Sequence, residues 1–268
     1  MFTDKRKLMD GAEIPLLGFG TWLIPDGRAA DAVRSALEIG YRHIDTAQAY
    51  GNERGVGEGF RQSGVRREDV FITSKVLAEI KDYEGAARSI DESLRVSGLD
   101  YFDLMLIHCP QPWDEFNSSP DRYIEGNRAV WRAMTEAQRA GKLRSIGVSN
   151  FSAVDIENLW PAAEVKPVVN QVSCSIGNTP RALIDFCAER GIVTEAYCPL
   201  GHGAAIGNPK IAAYAEKYGV TSAQLCVRYC VQQGIPALPK TENPEHMKNN
   251  ADLAFTISEE DMKALERL

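Results

Sequence analysis

The stretch DLMLIH, residues 103–108, is an almost unbroken apolar run with the length of one strand. A continuous apolar run is typical of a strand that is covered on both faces, as in a parallel sheet. One helical pattern, at residues 83–96, precedes the run and another, at 125–140, follows it, and each pattern ends close to a glycine. Residues 83–140 therefore predict a helix–strand–helix unit of an α/β fold.

The same alternation continues on both sides of this unit. The predicted strands are residues 16–19, 42–44, 70–75, 103–108, 143–149, 168–171, 192–197 and 235–238. The predicted helices are residues 28–39, 53–61, 83–96, 125–140, 153–159, 180–190, 210–218, 222–233 and 244–250. Because parallel crossovers are right-handed, this repetition favours a (β/α)8 TIM barrel over an open sheet.

The segments outside the repeat complete the predicted architecture. The pair Asp10-Gly11 lies between two short apolar pieces and predicts an N-terminal β-hairpin that covers the bottom of the barrel. No low-complexity linker divides the chain, so we expect residues 1–268 to form a single domain.

A dinucleotide-binding Rossmann fold is the main alternative. Gly18-Phe-Gly20 has the first two glycines of the fingerprint, but Leu23 stands where the third is needed. The acidic residue expected after the second strand of that unit is also missing. We therefore reject this alternative.

Composition narrows the range of functions. With 44% hydrophobic and 25% charged residues the chain is an ordinary globular protein, and its net charge of −7 argues against nucleic-acid binding. The first residues lack the apolar run of a signal peptide, and no run is long enough to span a membrane. The six cysteines have no zinc-site spacing. We expect a cytoplasmic, metal-free protein, with a monomer as the default.

In a TIM barrel the catalytic residues lie where strands end and βα loops begin. The polar residues at those ends are Asp45, Tyr50, Lys75, His108, Ser149, Asn150, Asn170, Gln171, Tyr197, Lys240 and Thr241. Singly, each has a structural explanation, for example a helix cap for Asp45 or a hydrogen-bonded core histidine for His108. Together, Asp45, Lys75, Tyr50 and His108 can satisfy one another, whereas a lone buried lysine could not.

These four side chains suit protonation of an oxygen that gains negative charge. A free tyrosine has a pKa of roughly 10, and a nearby ammonium should make the Tyr50 phenol a better acid. Asp45 would hold Lys75 in place, and His108 could orient a carbonyl. With no evident nucleophile, metal set or paired carboxylates, hydride addition to a carbonyl fits better than hydrolysis.

The chain resembles the aldo-keto reductases, and more narrowly the bacterial diketogluconate and aldehyde reductases. The resemblance runs through LGFGTW, YRHIDTAQAYGNE, ITSK, GLDYFDLMLIHCP, GKLRSIGVSNF, VVNQV, YCPLG and LPK, in order, over nearly the whole chain. It implies a TIM barrel that binds a nicotinamide cofactor and reduces aldehydes or ketones.

The resemblance also implies roles for individual residues. It makes Tyr50 the general acid, with Asp45, Lys75 and His108 completing a catalytic tetrad. The implied cofactor-binding residues are Gly20, Thr21, Asp45, Ser149, Asn150, Gln171, Tyr197, Leu200, Gly201, Lys240, Thr241, His246 and Asn250. The implied substrate-binding residues are Trp22, Tyr50, His108, Cys109 and Trp113.

The chain departs from the family pattern at three places. His246 stands where the family usually has the arginine that clamps the 2′-phosphate of NADPH, and Asn249 stands where an acid is common. Histidine is largely uncharged at pH 7 and lacks the bidentate fork of arginine, so NADPH should bind with a reduced preference over NADH.

The second departure is Cys109, which replaces a frequent tryptophan, although Trp113 could fill the space. The third is the ending at Leu268, where relatives often extend a loop over the substrate site. Both predict an open pocket for small aldehydes, α-dicarbonyls or keto sugars. A cofactor-binding sensor or regulatory protein on the same barrel is the alternative, and it would be expected to have a broken tetrad.

Overall fold

The computed structural model describes residues 4–268, and within them eight parallel strands form one sheet in sequential order. The strands are β3 (Phe19–Gly20), β4 (His43–Asp45), β5 (Phe71–Val76), β6 (Phe102–Ile107), β7 (Leu143–Ser149), β8 (Val169–Ser173), β9 (Val193–Tyr197) and β10 (Ala237–Leu238). A bridge between Leu17 and Ala237 links the two ends of the sheet. The predicted TIM barrel is confirmed.

Helices alternate with these strands along the chain. They are α1 (Asp26–Ile39), α2 (Glu53–Ser63), α3 (Tyr83–Ser97), α4 (Ile124–Arg139), α5 (Ala153–Leu159), α6 (Arg181–Glu189), α7 (Pro209–Lys217), α8 (Ser222–Gln232), α9 (Pro244–Ala251) and α10 (Glu259–Glu266). The bounds of α1 to α9 agree with the predicted ones to within two residues, since glycines and N-cap side chains mark many of the ends. For example, the Asp82 side chain caps α3 and Gly98 ends it in a left-handed conformation.

The glycines of Gly18-Phe-Gly20 have a role in closing the barrel. A β-carbon on Gly18 would lie 2.4 Å from Cδ2 of Leu238 and 2.8 Å from Nδ1 of His43. A β-carbon on Gly20 would lie 3.2 Å from the carbonyl oxygen of Leu238. These glycines therefore allow the first and last strands to approach each other, which explains the partial dinucleotide fingerprint.

The predicted N-terminal hairpin is present as β1 (Lys5–Lys7) and β2 (Glu13–Pro15), which pair antiparallel. Leu8 and Ile14 are buried with apolar side chains from the barrel strands, including Leu104 and Leu106. A second apolar cluster packs the outer face of the strands against the helices. Among residues 4–268, no helix is long and apolar enough to cross a membrane.

Candidate active site

Lys75 and Asp45 form a buried ion pair at the carboxyl ends of adjacent strands. The Lys75 Nζ lies 2.8 and 2.7 Å from the two carboxylate oxygens of Asp45, and it also donates to the carbonyl oxygen of Thr46 at 2.9 Å. Burial by itself would lower the pKa of Lys75, but the charge of Asp45 and the contact with Tyr50 outweigh burial and raise it. Lys75 is therefore a permanent ammonium at neutral pH.

Tyr50 reaches the same ammonium from the loop after β4. Its hydroxyl lies 3.3 Å from Nζ of Lys75, and a 3-10 turn, Gln48–Tyr50, places it there. Asn52 holds this loop, because its side-chain amide donates to the carbonyl oxygens of Thr21 and Ile24, each at 2.9 Å. Asn52 was not singled out from the sequence, although it belongs to the quoted motif.

The acidity of Tyr50 differs from the sequence-based expectation. Burial raises the pKa of Tyr50 to about 12, and Lys75 offsets only part of that increase. The ammonium acts in the predicted direction, but desolvation of a phenolate is the larger effect. The phenol therefore stays protonated across the neutral range, in the form that a proton donor requires.

His108 completes the predicted group of four. Its ring meets the ring of Tyr50 edge-on at 5.7 Å and that of Trp113 at 5.1 Å. Burial, with the charge of Lys75, lowers the pKa of His108 to about 3, so the imidazole is neutral. Nδ1 is buried without a hydrogen-bond partner within residues 4–268, which leaves Nε2 as the nitrogen available to a ligand.

Polar side chains from β7, β8 and β9 form the opposite side of the site. The Asn150 side chain donates to the carbonyl oxygen of His108 at 3.0 Å and accepts from the Tyr197 hydroxyl at 2.7 Å. Asn150 has a left-handed backbone, with φ of 61°, which directs its amide back over the barrel mouth. Ser149 donates to the carbonyl oxygen of Gln171 at 2.9 Å. Hydrogen bonds among neighbouring residues thus hold the side chains on the predicted cofactor side of the site in place.

Gln171 connects the two sides across the barrel. Its amide nitrogen donates to Oδ2 of Asp45 at 2.8 Å and to Oε2 of Glu195 at 2.7 Å. Glu195 is fully buried, and the desolvation, together with the nearby charge of Asp45, raises its pKa to about 8. Sequence reasoning missed Glu195, although an acid inside an apolar strand is a visible signal.

A cavity of about 810 Å³ opens over these residues at the carboxyl ends of the strands. That volume is in the usual range of small-molecule sites. The predicted site residues that line it are Gly20, Trp22, Asp45, Tyr50, His108, Trp113, Ser149, Asn150, Gln171, Tyr197, Leu200 and Lys240.

Other predicted residues lie beside the cavity. Cys109 was expected in the substrate wall, but it is fully buried while Trp113 lines the wall. Thr21 is also fully buried, and its hydroxyl donates to the carbonyl oxygen of Asp45 at 2.9 Å. Gly201 lies just beyond Leu200, in a left-handed conformation.

The predicted phosphate site follows β10 and continues from the cavity edge at Lys240. The Thr241 hydroxyl lies 3.5 Å from Nδ1 of His246, and Asn243 caps the N-terminus of α9. Asn250 is buried, and its Oδ1 has no hydrogen-bond partner within the described residues. The segment therefore offers a cation and a hydroxyl before the N-terminus of α9, and an amide oxygen without a partner near the other end of that helix.

The cavity mouth includes residues that sequence reasoning did not identify. They are Leu23, Ala49, Cys198, Pro199, His202, Gly203, Ile206, Leu238 and Pro239. The His202 ring packs edge-on against Trp22, with the ring centres 5.4 Å apart. The loop after β9 that holds most of them has no periodic pattern, so only its proximity to Leu200 and Gly201 could have indicated them. Residues 4–268 contain no cluster of three or more His, Cys, Asp or Glu side chains arranged to hold a metal ion.

Comparisons with known proteins agree with this geometry. A family model described as the aldo/keto reductase family matches residues 16–268. A glyoxal reductase of Bacillus subtilis (strain 168) is 40% identical over 267 residues, which are 99% of this chain and 92% of that protein. The aldehyde reductase YPR1 of Saccharomyces cerevisiae (strain ATCC 204508 / S288c) is 38% identical and covers 98% of this chain and 89% of its own length.

Solved structures give the same result. The crystal structure of an aldo/keto reductase from Brucella melitensis superimposes with a TM-score of 0.90 at 37% identity, with 98% of each chain covered. MGS-M4, an aldo-keto reductase from a deep-sea metagenome library of the Medee basin, has a TM-score of 0.89 at 36% identity. It covers 97% of this chain and 93% of its own.

Proposed function

This chain belongs to the aldo/keto reductase family, and we propose that it reduces the carbonyl group of small aldehydes or ketones to an alcohol with a nicotinamide cofactor. The observation that carries the proposal is the contact between the Tyr50 hydroxyl and the Lys75–Asp45 pair at the floor of the cavity. A protonated phenol beside a fixed ammonium is suited to protonating an oxygen as negative charge develops on it.

The residues present fit a nicotinamide cofactor. Gln171 and Asn150 bring side-chain amides to the cavity, and Tyr197 brings an aromatic ring. At the other end, Lys240 offers charge for a phosphate, and the unpartnered Oδ1 of Asn250 can accept a hydrogen bond from an amino group such as that of adenine. Such a cofactor would supply the hydride for the carbonyl carbon.

The protein side chains divide the remaining work. Tyr50 would donate its proton to the carbonyl oxygen, and Lys75 would stabilise the phenolate that is left. Asp45 keeps the ammonium in place, so that no reorganisation is needed during the reaction. The neutral His108, through Nε2, would hold the carbonyl oxygen near Tyr50.

We propose NADPH as the cofactor, with NADH accepted as well. Lys240 and Thr241 retain a cation and a hydroxyl for a 2′-phosphate, but His246 cannot supply the bidentate contacts of arginine. This supports binding of NADPH with a smaller advantage than an arginine would give.

The cavity mouth favours small uncharged carbonyl compounds with an apolar part. Trp22, Leu23, Trp113 and Ile206 all line the mouth and are between 40% and 65% exposed. Hydroxyl groups of a sugar would lose water against these side chains without gaining partners. We therefore place aldehydes and α-dicarbonyls ahead of keto sugars as substrates.

The test is a panel of aldehydes, α-dicarbonyls and keto sugars, assayed with NADPH and NADH separately for the wild-type protein and for Tyr50→Phe. The variant should lose roughly a hundredfold or more in kcat, in line with the usual contribution of a general acid, while its affinity for the cofactor stays unchanged. Tyr83→Phe is the matched control, since this exposed phenol pairs with Glu136 on the barrel exterior and should not affect kcat. Full activity of Tyr50→Phe would refute the proposal, and tight cofactor binding without turnover would support the sensor hypothesis.

A further inference from the structure

We propose that Glu195 is a positioning residue that fixes the side-chain amide of Gln171, so that the amide oxygen of Gln171 faces the cavity as an acceptor for the carboxamide of the cofactor. This inference rests on the proposed use of a nicotinamide cofactor. Glu195 has no role in the proton transfer described above, and it does not line the cavity.

The position of Glu195 follows from the barrel register. Gln171 in β8 pairs with Glu195 in β9, so both side chains leave neighbouring strands at the same level. Both point to the barrel interior, where Glu195 is completely buried and Gln171 is 1% exposed. Glu195 does not line the cavity, but it contacts Gln171, which does.

The hydrogen bonds determine which end of the Gln171 amide faces the cavity. An amide nitrogen has two N–H groups, and those of Gln171 are directed to Oδ2 of Asp45 at 2.8 Å and Oε2 of Glu195 at 2.7 Å. Gln171 itself lines the cavity, and because both of its N–H groups are engaged, the amide oxygen is the end left to the cavity. No hydrogen bond from residues 4–268 reaches that oxygen. By contrast, Asn150 already uses both ends of its amide.

Glu195 can hold Gln171 without competing for the ammonium of Lys75. Burial and the charge of Asp45 raise the pKa of Glu195 to about 8, so its carboxyl group is mostly protonated at neutral pH. Because Oε2 accepts from Gln171, the proton belongs on Oε1, which lies 3.5 Å from Nε2 of His43. Burial lowers the pKa of His43 to about 3, so this imidazole is neutral as well. Asp45 therefore remains the charged partner of Lys75.

Two substitutions of Glu195 distinguish the effect of its hydrogen-bond acceptor from the effect of its charge. Glu195→Gln is neutral, like the protonated acid, and keeps an oxygen that can accept from Gln171. Glu195→Met keeps a similar length and stays apolar in the buried site, but it offers no comparable acceptor. In Glu195→Met one N–H of Gln171 loses its partner, and the amide is free to rotate.

The experiment measures dissociation constants by quenching of tryptophan fluorescence for the wild-type protein and both variants. Each protein is titrated with NADPH or NADH, whichever the wild type binds more tightly, and with the matching ligand without nicotinamide, 2′-phospho-ADP-ribose or ADP-ribose. Glu195→Met should bind the complete cofactor roughly two- to tenfold more weakly, the range of one hydrogen bond, and should bind the truncated ligand unchanged. Glu195→Gln should match the wild type with both ligands.

The outcomes distinguish the inference from the function on which it rests. If the wild type binds neither dinucleotide, the proposed function fails, and this role of Glu195 fails with it. If the wild type binds but Glu195→Met binds the complete cofactor equally well, only the inference is overturned. An equal loss for the complete and truncated ligands in Glu195→Met would also overturn it, because it would reveal a general disturbance of the barrel.

Discussion

The Nζ of Lys75 lies within 2.8 Å of both carboxylate oxygens of Asp45, and both side chains are shielded from solvent. A charge pair in such surroundings is stable only while both partners are present, since either ion alone would be buried without compensation. We therefore expect the pair to contribute to the stability of the fold as well as to the proposed proton transfer from Tyr50.

Lys75→Met should lower both activity and stability. Removing the ammonium leaves Asp45 as an unpaired buried carboxylate, and breaking a buried pair in this way typically costs about 3–5 kcal/mol. The free energy of unfolding from urea titrations and kcat for a small aldehyde measure the two effects. Lys142→Met breaks the exposed pair with Asp91 and should cost about 1 kcal/mol or less. Equal effects of the two substitutions would contradict the assignment.

Neither Tyr50 nor His108 should introduce a transition into the pH dependence of carbonyl reduction between pH 6 and 9. Tyr50 is protonated below its pKa of about 12, and His108 is neutral above its pKa of about 3. Neither group therefore changes its protonation in this range. Steady-state kcat over that range is the measurement. A transition near pH 6.5 that disappears in His108→Gln would show that His108 titrates as an ordinary histidine.

His246→Arg should raise the preference for NADPH over NADH. An added charge-assisted hydrogen bond to the 2′-phosphate contributes about 1.5–3 kcal/mol, so the ratio of the kcat/KM values should rise by roughly 10- to 100-fold. Lys248→Arg is the control, because Lys248 is on the same helix, α9, and pairs with Glu245. A wild-type preference for NADPH already above about a thousandfold would contradict the weakened clamp expected from His246.

Glu195 should make the protein less stable as the pH rises. Its pKa is about 8 in the folded protein against an ordinary value of 4.5, so between these values the folded state holds a proton that the unfolded chain has lost. The free energy of unfolding should therefore fall through that window, and Glu195→Gln should lack this part of the decrease. Urea unfolding of both proteins at pH 5 and pH 8 gives the comparison. Parallel changes would show that Glu195 is ionised in the folded state.

The barrel and the meeting of Asp45, Tyr50, Lys75 and His108 in one site were predictable, because strand ends bring polar residues from distant parts of the chain to one mouth. Asp45, Lys75 and His108 each follow a short apolar segment, and that pattern is visible in the sequence. The complete burial of Cys109 was not foreseen, because the direction of a side chain at a strand end depends on the local turn. The acidity of Tyr50 depends on burial in three dimensions, which residue spacing does not contain.

The sequence also could not predict that His202 and Ile206 line the cavity. The loop after β9 has no hydrophobic period, and its course depends on left-handed residues such as His202, with φ of 54°. Glu195 could have been noticed as an acid in a buried strand. Its partner Gln171, however, is on the neighbouring strand β8, and the sequence does not show which residues of two strands face each other. The role proposed for Glu195 was therefore visible only in the hydrogen bonds of the folded protein.

The hydrogen bond between Asp45 and Gln171 joins residues separated by 126 positions. The four residues proposed for proton transfer all lie between Asp45 and His108, in the first half of the chain. Ser149 and the residues proposed to hold the cofactor's ring and adenosine phosphate lie mainly in the second half. In the proposed mechanism each half of the barrel thus has a separate task, and this hydrogen bond joins the two halves. The proposal therefore implies that substitutions in the second half can change the choice of cofactor without replacing the proton-transfer residues of the first half.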